Sequence, residues 1–323
     1  MKRAQRLLIL GMGGTIAGRS SVAGDNVGYR AGEVSVEALM APLQGHLACL
    51  DGWSVDAVQV AQLDSKDMDE VTWMALAKAV ESALLDPSVG AIVITHGTDT
   101  LEETAYLLSR VLVATKPVVM TCAMRPASAL CPDGPQNLLD AVALASSGQA
   151  AGVWVVAAGV VHAPARVAKV HPYRVDAFSS GEQGVAGWME EGRVRWASGH
   201  QSSQPEAVPL AVLQTPWPRV EVLFSHGGVS THLLDALLSP VPSGDVPPLR
   251  GLVVVGTGNG TLHHTWLPRL TQAMAQGLTI WRTTRCHAGS VVDGGATADI
   301  PSVALPPFKA RLELVLHLAR QRP

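Results

Sequence analysis

Short runs of β-branched residues alternate along the chain with longer stretches of helical period, which predicts strands joined by crossover helices in a parallel sheet. The runs fall at residues 7–10, 55–60, 91–95, 118–121 and 153–156. Between the second and third, Val71, Met74, Ala77, Val80 and Leu84 recur every three to four residues and predict a helix with one buried stripe. From residue 201 to 218 the pattern lapses into Ser, Gln, Glu and Pro, which sustain neither a helix interior nor a central strand. Beyond it, runs at 220–224, 252–255 and 278–281 repeat the alternation on a smaller scale. The expected fold class is α/β: a larger N-terminal parallel-sheet domain at 1–200, a linker at 201–218, and a smaller Rossmann-like C-terminal α/β domain at 219–323.

Length agrees with two domains, since 323 residues exceed what a single hydrophobic core usually organises. A hydrophobic share of 47% against 16% charged residues marks a folded globular chain. The net charge of -3, with no block of Lys and Arg, argues against capture of DNA or RNA and points to a small-molecule partner. Cys49, Cys122, Cys131 and Cys286 have no CxxC spacing, so reduced thiols are the expectation. The charged and apolar start, Lys2-Arg3 then 7–10, imitates a secretory leader. Its apolar run is short of the roughly 7–15 residues such a leader needs, and a Gly-rich turn replaces the cleavage site, so it is expected to be a buried strand of a cytoplasmic protein. No apolar stretch reaches the roughly 18 residues of a membrane helix.

Three strand ends run into loops rich in Gly, Thr, Ser and Asp, and ligands of open parallel sheets bind beyond the carboxyl ends of strands. The first loop, Gly11-Met12-Gly13-Gly14-Thr15-Ile16-Ala17-Gly18, has Ile16 where a dinucleotide fingerprint needs its third glycine. Its glycines permit a tight turn that leaves the Thr15 hydroxyl at the crevice; taken alone, Thr15 is read first as a turn residue bonding a nearby carbonyl. The second loop, His96-Gly97-Thr98-Asp99-Thr100, opens a helix for which Thr100 and Glu103 form a capping-box pattern. That would direct a positive helix end beside Thr98 and Asp99, a place for an oxyanion or carboxylate. In the third, Asp133 and Pro135 are placed as cap and first-turn proline of a helix running to Ala145, and Arg125 is free to pair with an acidic neighbour.

Strand alternation over 166–170 would put Val167 and Lys169 on one face. An inward Lys169 near Thr98 could act as a base, whereas taken alone it is read as an exposed lysine. The histidines supply no HExxH and His263-His264 is merely adjacent, so no metal is expected. Gly256-Thr257-Gly258-Asn259-Gly260 lacks the features of a nucleotide loop.

Taken together, Gly13-Gly14-Thr15-Ile16-Ala17, the run from Thr95 to Ala105, and Ala123-Met124-Arg125-Pro126 with Asp133-Gly134-Pro135 strongly resemble the bacterial L-asparaginase and glutaminase-asparaginase family. The resemblance spans nearly the whole chain. It implies hydrolysis of the side-chain amide of L-asparagine, with L-glutamine a possible second substrate, by a homodimer or homotetramer that shares its active sites between subunits and needs no cofactor. By the same resemblance Thr15 matches the nucleophile, Tyr29 a tyrosine on a mobile lid, and Thr98, Asp99 and Lys169 a second catalytic cluster. Ser65 is similar to the serine that holds the substrate's α-carboxylate, Asp99 to the partner of its α-ammonium, and Asn259 to a residue completing the site from a neighbouring subunit. Cys122 and the stretch 285–300 depart from the secreted enzymes, the latter toward the cytoplasmic type. A non-catalytic amino-acid binding protein, and the asparaginase-like subunit of a tRNA-dependent amidotransferase, are the two rival readings.

Overall fold

The computed structural model describes residues 5–321, apart from 23, 42–44, 46–49, 51, 199–205, 214, 240–245 and 298. Cys49 therefore lies outside the described residues, as do 201–205 and 214 of the expected linker. The chain divides into two units, Met1–Leu210 and Ala211–Pro323.

In the first unit each expected run is part of a longer strand: β1 (Gln5–Gly13), β2 (Trp53–Leu63), β3 (Val89–Thr95), β4 (Pro117–Thr121) and β5 (Gly152–Ala157). They lie in the order β2-β1-β3-β4-β5 and pair in parallel throughout. Between them run α1 (Val36–Met40), α2 (Glu70–Leu85), α3 (Leu101–Val111) and α4 (Gly134–Ser146). Every residue of β5 is buried, as an apolar run enclosed on both faces requires, whereas β2 alternates partly exposed and exposed positions because it forms an edge. The carboxyl ends of β1 and β3 form the switch point of this strand order, where the chain leaves β1 toward β2 and returns on the other side to β3.

Two readings of pattern need correction. The buried residues of α2 are Trp73, Met74, Leu76, Ala77, Val80 and Ala83, so Met74, Ala77 and Val80 of the expected stripe face inward, while Val71 is 64% exposed. Asp69 explains the difference: its side chain caps the helix by accepting the Thr72 N–H at 2.7 Å, so Val71 falls on the outer side of the first turn. The sheet is also mixed rather than wholly parallel. It continues through β6 (Val160–His162), then, past the small hairpin of β7 (Ala168–Lys169) and β8 (Phe178–Ser179), through β9 (Gly187–Glu190) and β10 (Arg193–Trp196), all antiparallel. These strands are two to four residues long, too short for periodicity to register.

The second unit holds a parallel sheet, β11 (Arg219–Phe224), β12 (Leu249–Gly256) and β13 (Thr279–Thr284), in sequential order. The helices α5 (His232–Leu238), α6 (Leu267–Ala275) and α7 (Pro307–Arg320) accompany it, and Leu234, Trp266 and Leu270 pack with Leu252, Val254 and Ile280 in its core. Among the described residues no helix is long and apolar enough to cross a membrane.

Candidate active site

The loops after β1 and β3 meet backbone to backbone, and the Ser65 side chain of the loop after β2 packs against the latter. Gly13 and Gly14 hold φ of 89° and 78°, a region costly for any residue with a Cβ. A Cβ on Gly14 would lie 2.2 Å from Gly97 Cα, and one on Gly97 would lie 2.5 Å from Ser65 Oγ. Glycine at both positions is therefore what lets three strand ends converge.

Thr15 sits in a 3-10 turn (Thr15–Ala17) directly after this approach and is 7% exposed. Its Oγ1 lies 2.6 Å from the Tyr29 hydroxyl, so it makes a side-chain contact rather than the turn-carbonyl bond open to it from sequence. Burial raises the Tyr29 phenol above its ordinary value, which leaves it protonated and able to donate or accept at neutral pH. Asp25 shapes the segment that presents Tyr29. Its Oδ1 accepts the Val27 and Gly28 N–H groups at 2.8 and 2.9 Å, and these bonds hold its carboxyl below the usual carboxylate range.

Behind β3, Lys169 of β7 donates through Nζ to Thr98 Oγ1 at 2.8 Å and to Asp99 Oδ1 at 2.6 Å. Its side chain is 17% exposed, so the reading of Lys169 as a solvated lysine is corrected: a carboxylate and a hydroxyl hold it inward. Its own backbone N–H donates to Glu102 Oε2 at 2.5 Å, which fixes the lysine to the first turn of α3. Ser65, 2% exposed, accepts the Asp99 N–H at 3.1 Å through Oγ and the Thr100 hydroxyl at 2.8 Å through its carbonyl. Thr100 is thus occupied by Ser65 and makes no side-chain capping bond; its hydroxyl links two loops instead.

Below Thr98 a buried chain supports the loop. Trp73 Nε1 donates to Thr104 Oγ1 at 2.9 Å, and Thr104 Oγ1 lies 3.1 Å from His96 Nε2. His96 Nδ1 lies 2.8 Å from the Gly97 carbonyl, which assigns the proton to Nδ1 and the accepting role to Nε2. Complete burial pushes His96 down to about 4, so the ring is neutral.

Asp133 does not cap α4 with its side chain. Its carboxylate accepts the Met124 and Arg125 N–H groups, each at 2.9 Å, and so closes the loop between β4 and α4. Arg125 consequently meets its acidic neighbour through the backbone, while Nη1 donates to the Cys131 carbonyl at 3.2 Å. Cys122 is buried and Cys131 and Cys286 are exposed, all three as free thiols.

Of the expected site residues, the first unit thus brings Thr15 with Tyr29, and Ser65, Thr98, Asp99 and Lys169 with one another, on loops that touch at Gly14 and Gly97. Asn259 belongs to the second unit, where both ends of its amide bond the Val292 backbone at 2.7 Å and set the turn after β12. Among the described residues no group of three or more His, Cys, Asp or Glu could hold a metal. Glu102, Asp25, His96 and Thr104 were not singled out as site residues from sequence. Asp25 carries a local signal, an Asx turn into Val27 and Gly28, but Glu102 serves a backbone 67 residues away and has none.

The family described as asparaginase, N-terminal, matches residues 6–202, and that described as glutaminase/asparaginase C-terminal domain matches 219–323. The chain belongs to the asparaginase family. A probable periplasmic L-asparaginase of Haemophilus influenzae is 32% identical, over 98% of this chain and 89% of that one. L-asparaginase 2 of Escherichia coli is 33% identical over 98% and 89%, and a glutaminase-asparaginase of Acinetobacter glutaminasificans 33% over 97% and 95%. Among solved structures, a probable cytoplasmic L-asparaginase from Campylobacter jejuni aligns with a TM-score of 0.86 and 33% identity, covering 98% of this chain and 95% of that one. The chain is accordingly an amidohydrolase of the asparaginase type, with the family's large sheet domain and smaller parallel-sheet domain.

Proposed function

We propose that the protein hydrolyses L-asparagine to L-aspartate and ammonia through an ester on Thr15, with weaker turnover of L-glutamine. The observation that carries this reading is the pair of threonine hydroxyls at the switch point, one 2.6 Å from the Tyr29 phenol and the other 2.8 Å from Lys169 Nζ.

Thr15 Oγ1 attacks the amide carbon. As it does so, Tyr29 takes the Thr15 proton and passes its own to the departing nitrogen, so ammonia leaves and an aspartyl ester remains. Backbone N–H groups at the start of α3 face the charge that develops on the carbonyl oxygen. Water then cleaves the ester. Lys169 accepts a proton from the Thr98 hydroxyl while giving one to Asp99, and Thr98 in turn takes one proton of the attacking water; Tyr29 protonates the departing Thr15 Oγ1 and regains a proton from the new carboxyl group, and Asp99 releases the relayed proton to solvent. The transfers between protein groups run along contacts of 2.6–2.8 Å. Ser65 retains its own O–H for the substrate's α-carboxylate, since its Oγ accepts rather than donates in the bond to Asp99 N–H. Asp99 receives the α-ammonium. No metal or cofactor enters any step.

A homodimer or homotetramer with Asn259 contributed across a subunit contact belongs to the same reading, as does a cytoplasmic setting. The latter is supported by the likeness to the probable cytoplasmic L-asparaginase of Campylobacter jejuni. Release of ammonia from L-asparagine and L-glutamine by the purified protein tests the proposal. Turnover of asparagine, exceeding that of glutamine, is expected; no ammonia from either amide would leave an amino-acid binding protein as the better reading.

A further inference from the structure

A second cavity lies on the other side of the Thr15 turn, and Thr15 itself takes no part in its lining. Its volume of about 320 Å³ falls in the range of roughly 300–1,000 Å³ that small-molecule sites occupy. The walls are largely apolar, from Ile16, Val34, Leu39, Pro132 and Leu138, and two arginines, Arg19 and Arg125, join them. No carboxylate lines it. Arg125 spends only Nη1, on the Cys131 carbonyl, and Arg19 has no side-chain partner among the described residues. The nearby Asp133 carboxylate accepts from Met124 N–H, Arg125 N–H and Asn137 Nδ2, and forms no ion pair with either guanidinium among the described residues.

We propose that this cavity is a second binding site, for a small carboxylate carrying an apolar body, separate from the reacting threonines. Two arginines without an ion-pair partner among the described residues, on an otherwise apolar wall, are complementary to one anionic group and a hydrocarbon or aromatic remainder, since Arg presents its donors in a fork that matches a carboxylate. The position of the site ties it to the segment bearing Tyr29. On its rim, Ala127 N–H donates to the Gly18 carbonyl at 3.0 Å and Ser128 Oγ accepts the Ser20 N–H at 2.9 Å, while Arg19 pairs through its backbone with Arg30. Ile16 closes the opposite wall against Gly134, where a Cβ would lie 2.9 Å from Ile16 Cγ1. An occupant therefore rests on both the Thr15 turn and the root of residues 18–30.

Titration calorimetry of the full chain with 4-phenylbutyrate tests the site, with 4-phenylbutanol and acetate as probes lacking the charge and the apolar body respectively. Saturable binding in the millimolar range or tighter is expected for phenylbutyrate, at least tenfold weaker for either control. Arg19→Ala combined with Arg125→Ala should weaken it at least tenfold, and Ala38→Trp, which fills the cavity from exposed helix surface and keeps both arginines, should do the same. Thr15→Ala should leave it unchanged. Far-ultraviolet dichroism and thermal unfolding confirm that each variant is folded. The proposal is overturned by absence of phenylbutyrate binding, by binding indifferent to both sets of substitutions, or by loss of binding in Thr15→Ala, which would place the ligand in the active site. None of these outcomes depends on whether the protein releases ammonia, so the site and the amidohydrolase reading fail separately.

Discussion

At Tyr29 the hydroxyl and the ring do different things. The ring packs on Gly18, where a Cβ would come within 2.6 Å of it, and the hydroxyl meets Thr15. Tyr29→Phe keeps the packing and removes the proton relay, so kcat on asparagine should fall by roughly 100-fold or more with little change in thermal midpoint, as expected when a general acid-base group is lost. Unchanged kcat would assign the proton transfer elsewhere. Glu102 offers a finer test, because its carboxylate accepts the Lys169 backbone N–H. Glu102→Ala should lower kcat roughly tenfold by loosening Lys169, and Glu102→Gln, which still offers an acceptor oxygen, should restore most of it; a defect equal in both would mean that the charge matters rather than the bond. At this scale the sequence displays Thr15 and Thr98 plainly, since each sits in a Gly-rich loop after a strand. Lys169 reads as solvent-facing from its neighbours because what draws it inward lies 70 and 71 residues away.

Among elements, the convergence of three loops rests on Gly14 and Gly97. Gly97→Ala would drive a Cβ to 2.5 Å from Ser65 Oγ and 2.6 Å from Ser65 Cβ, so it should destabilise the fold by roughly 1–3 kcal/mol and displace Ser65. A raised KM for asparagine, read with the thermal midpoint, checks this; wild-type values in both would contradict the close approach. The buried chain from Trp73 through Thr104 to His96 gives a pH dependence. His96 falls from an ordinary value of 6.5 to about 4 in the fold, so between these the unfolded chain binds more protons and stability declines as pH drops. The group's contribution is complete above pH 6.5 and lost toward pH 4, on the order of 3 kcal/mol. Urea midpoints at pH 7 and pH 5 should therefore differ, with the slope reduced in His96→Gln; an equal slope would move the effect to other groups. The strands of both parallel sets, all of five residues or more, announce themselves by their apolar runs. The antiparallel extension β6, β9 and β10 does not, because three or four residues hold no measurable period. Nor does the role of Thr100: its spacing to Glu103 is that of a capping box, and only tertiary contact with Ser65 redirects its hydroxyl.

For the whole molecule, the sharing of sites between subunits is the claim that sequence carries least directly, since Asn259 stands in a turn whose local bonds to Val292 already account for its amide. If Thr15 and Asn259 act in one site from different chains, mixing inactive Thr15→Ala subunits with Asn259→Ala subunits under conditions of exchange should restore up to about a quarter to a half of wild-type activity, depending on assembly. No recovery in demonstrated hybrids would confine each site to one chain. The central claim, however, is that Thr15 forms the ester, and it is tested most directly by single-turnover ammonia release from L-asparagine by Thr15→Ala beside the wild type, with both shown to be folded. The account predicts a loss of at least roughly 1,000-fold and no acyl-protein in the quenched variant by intact-mass measurement, against a transient aspartyl adduct on the wild type. A variant that keeps activity within tenfold, or an adduct that persists in it, would contradict the assignment and transfer the attack to Thr98.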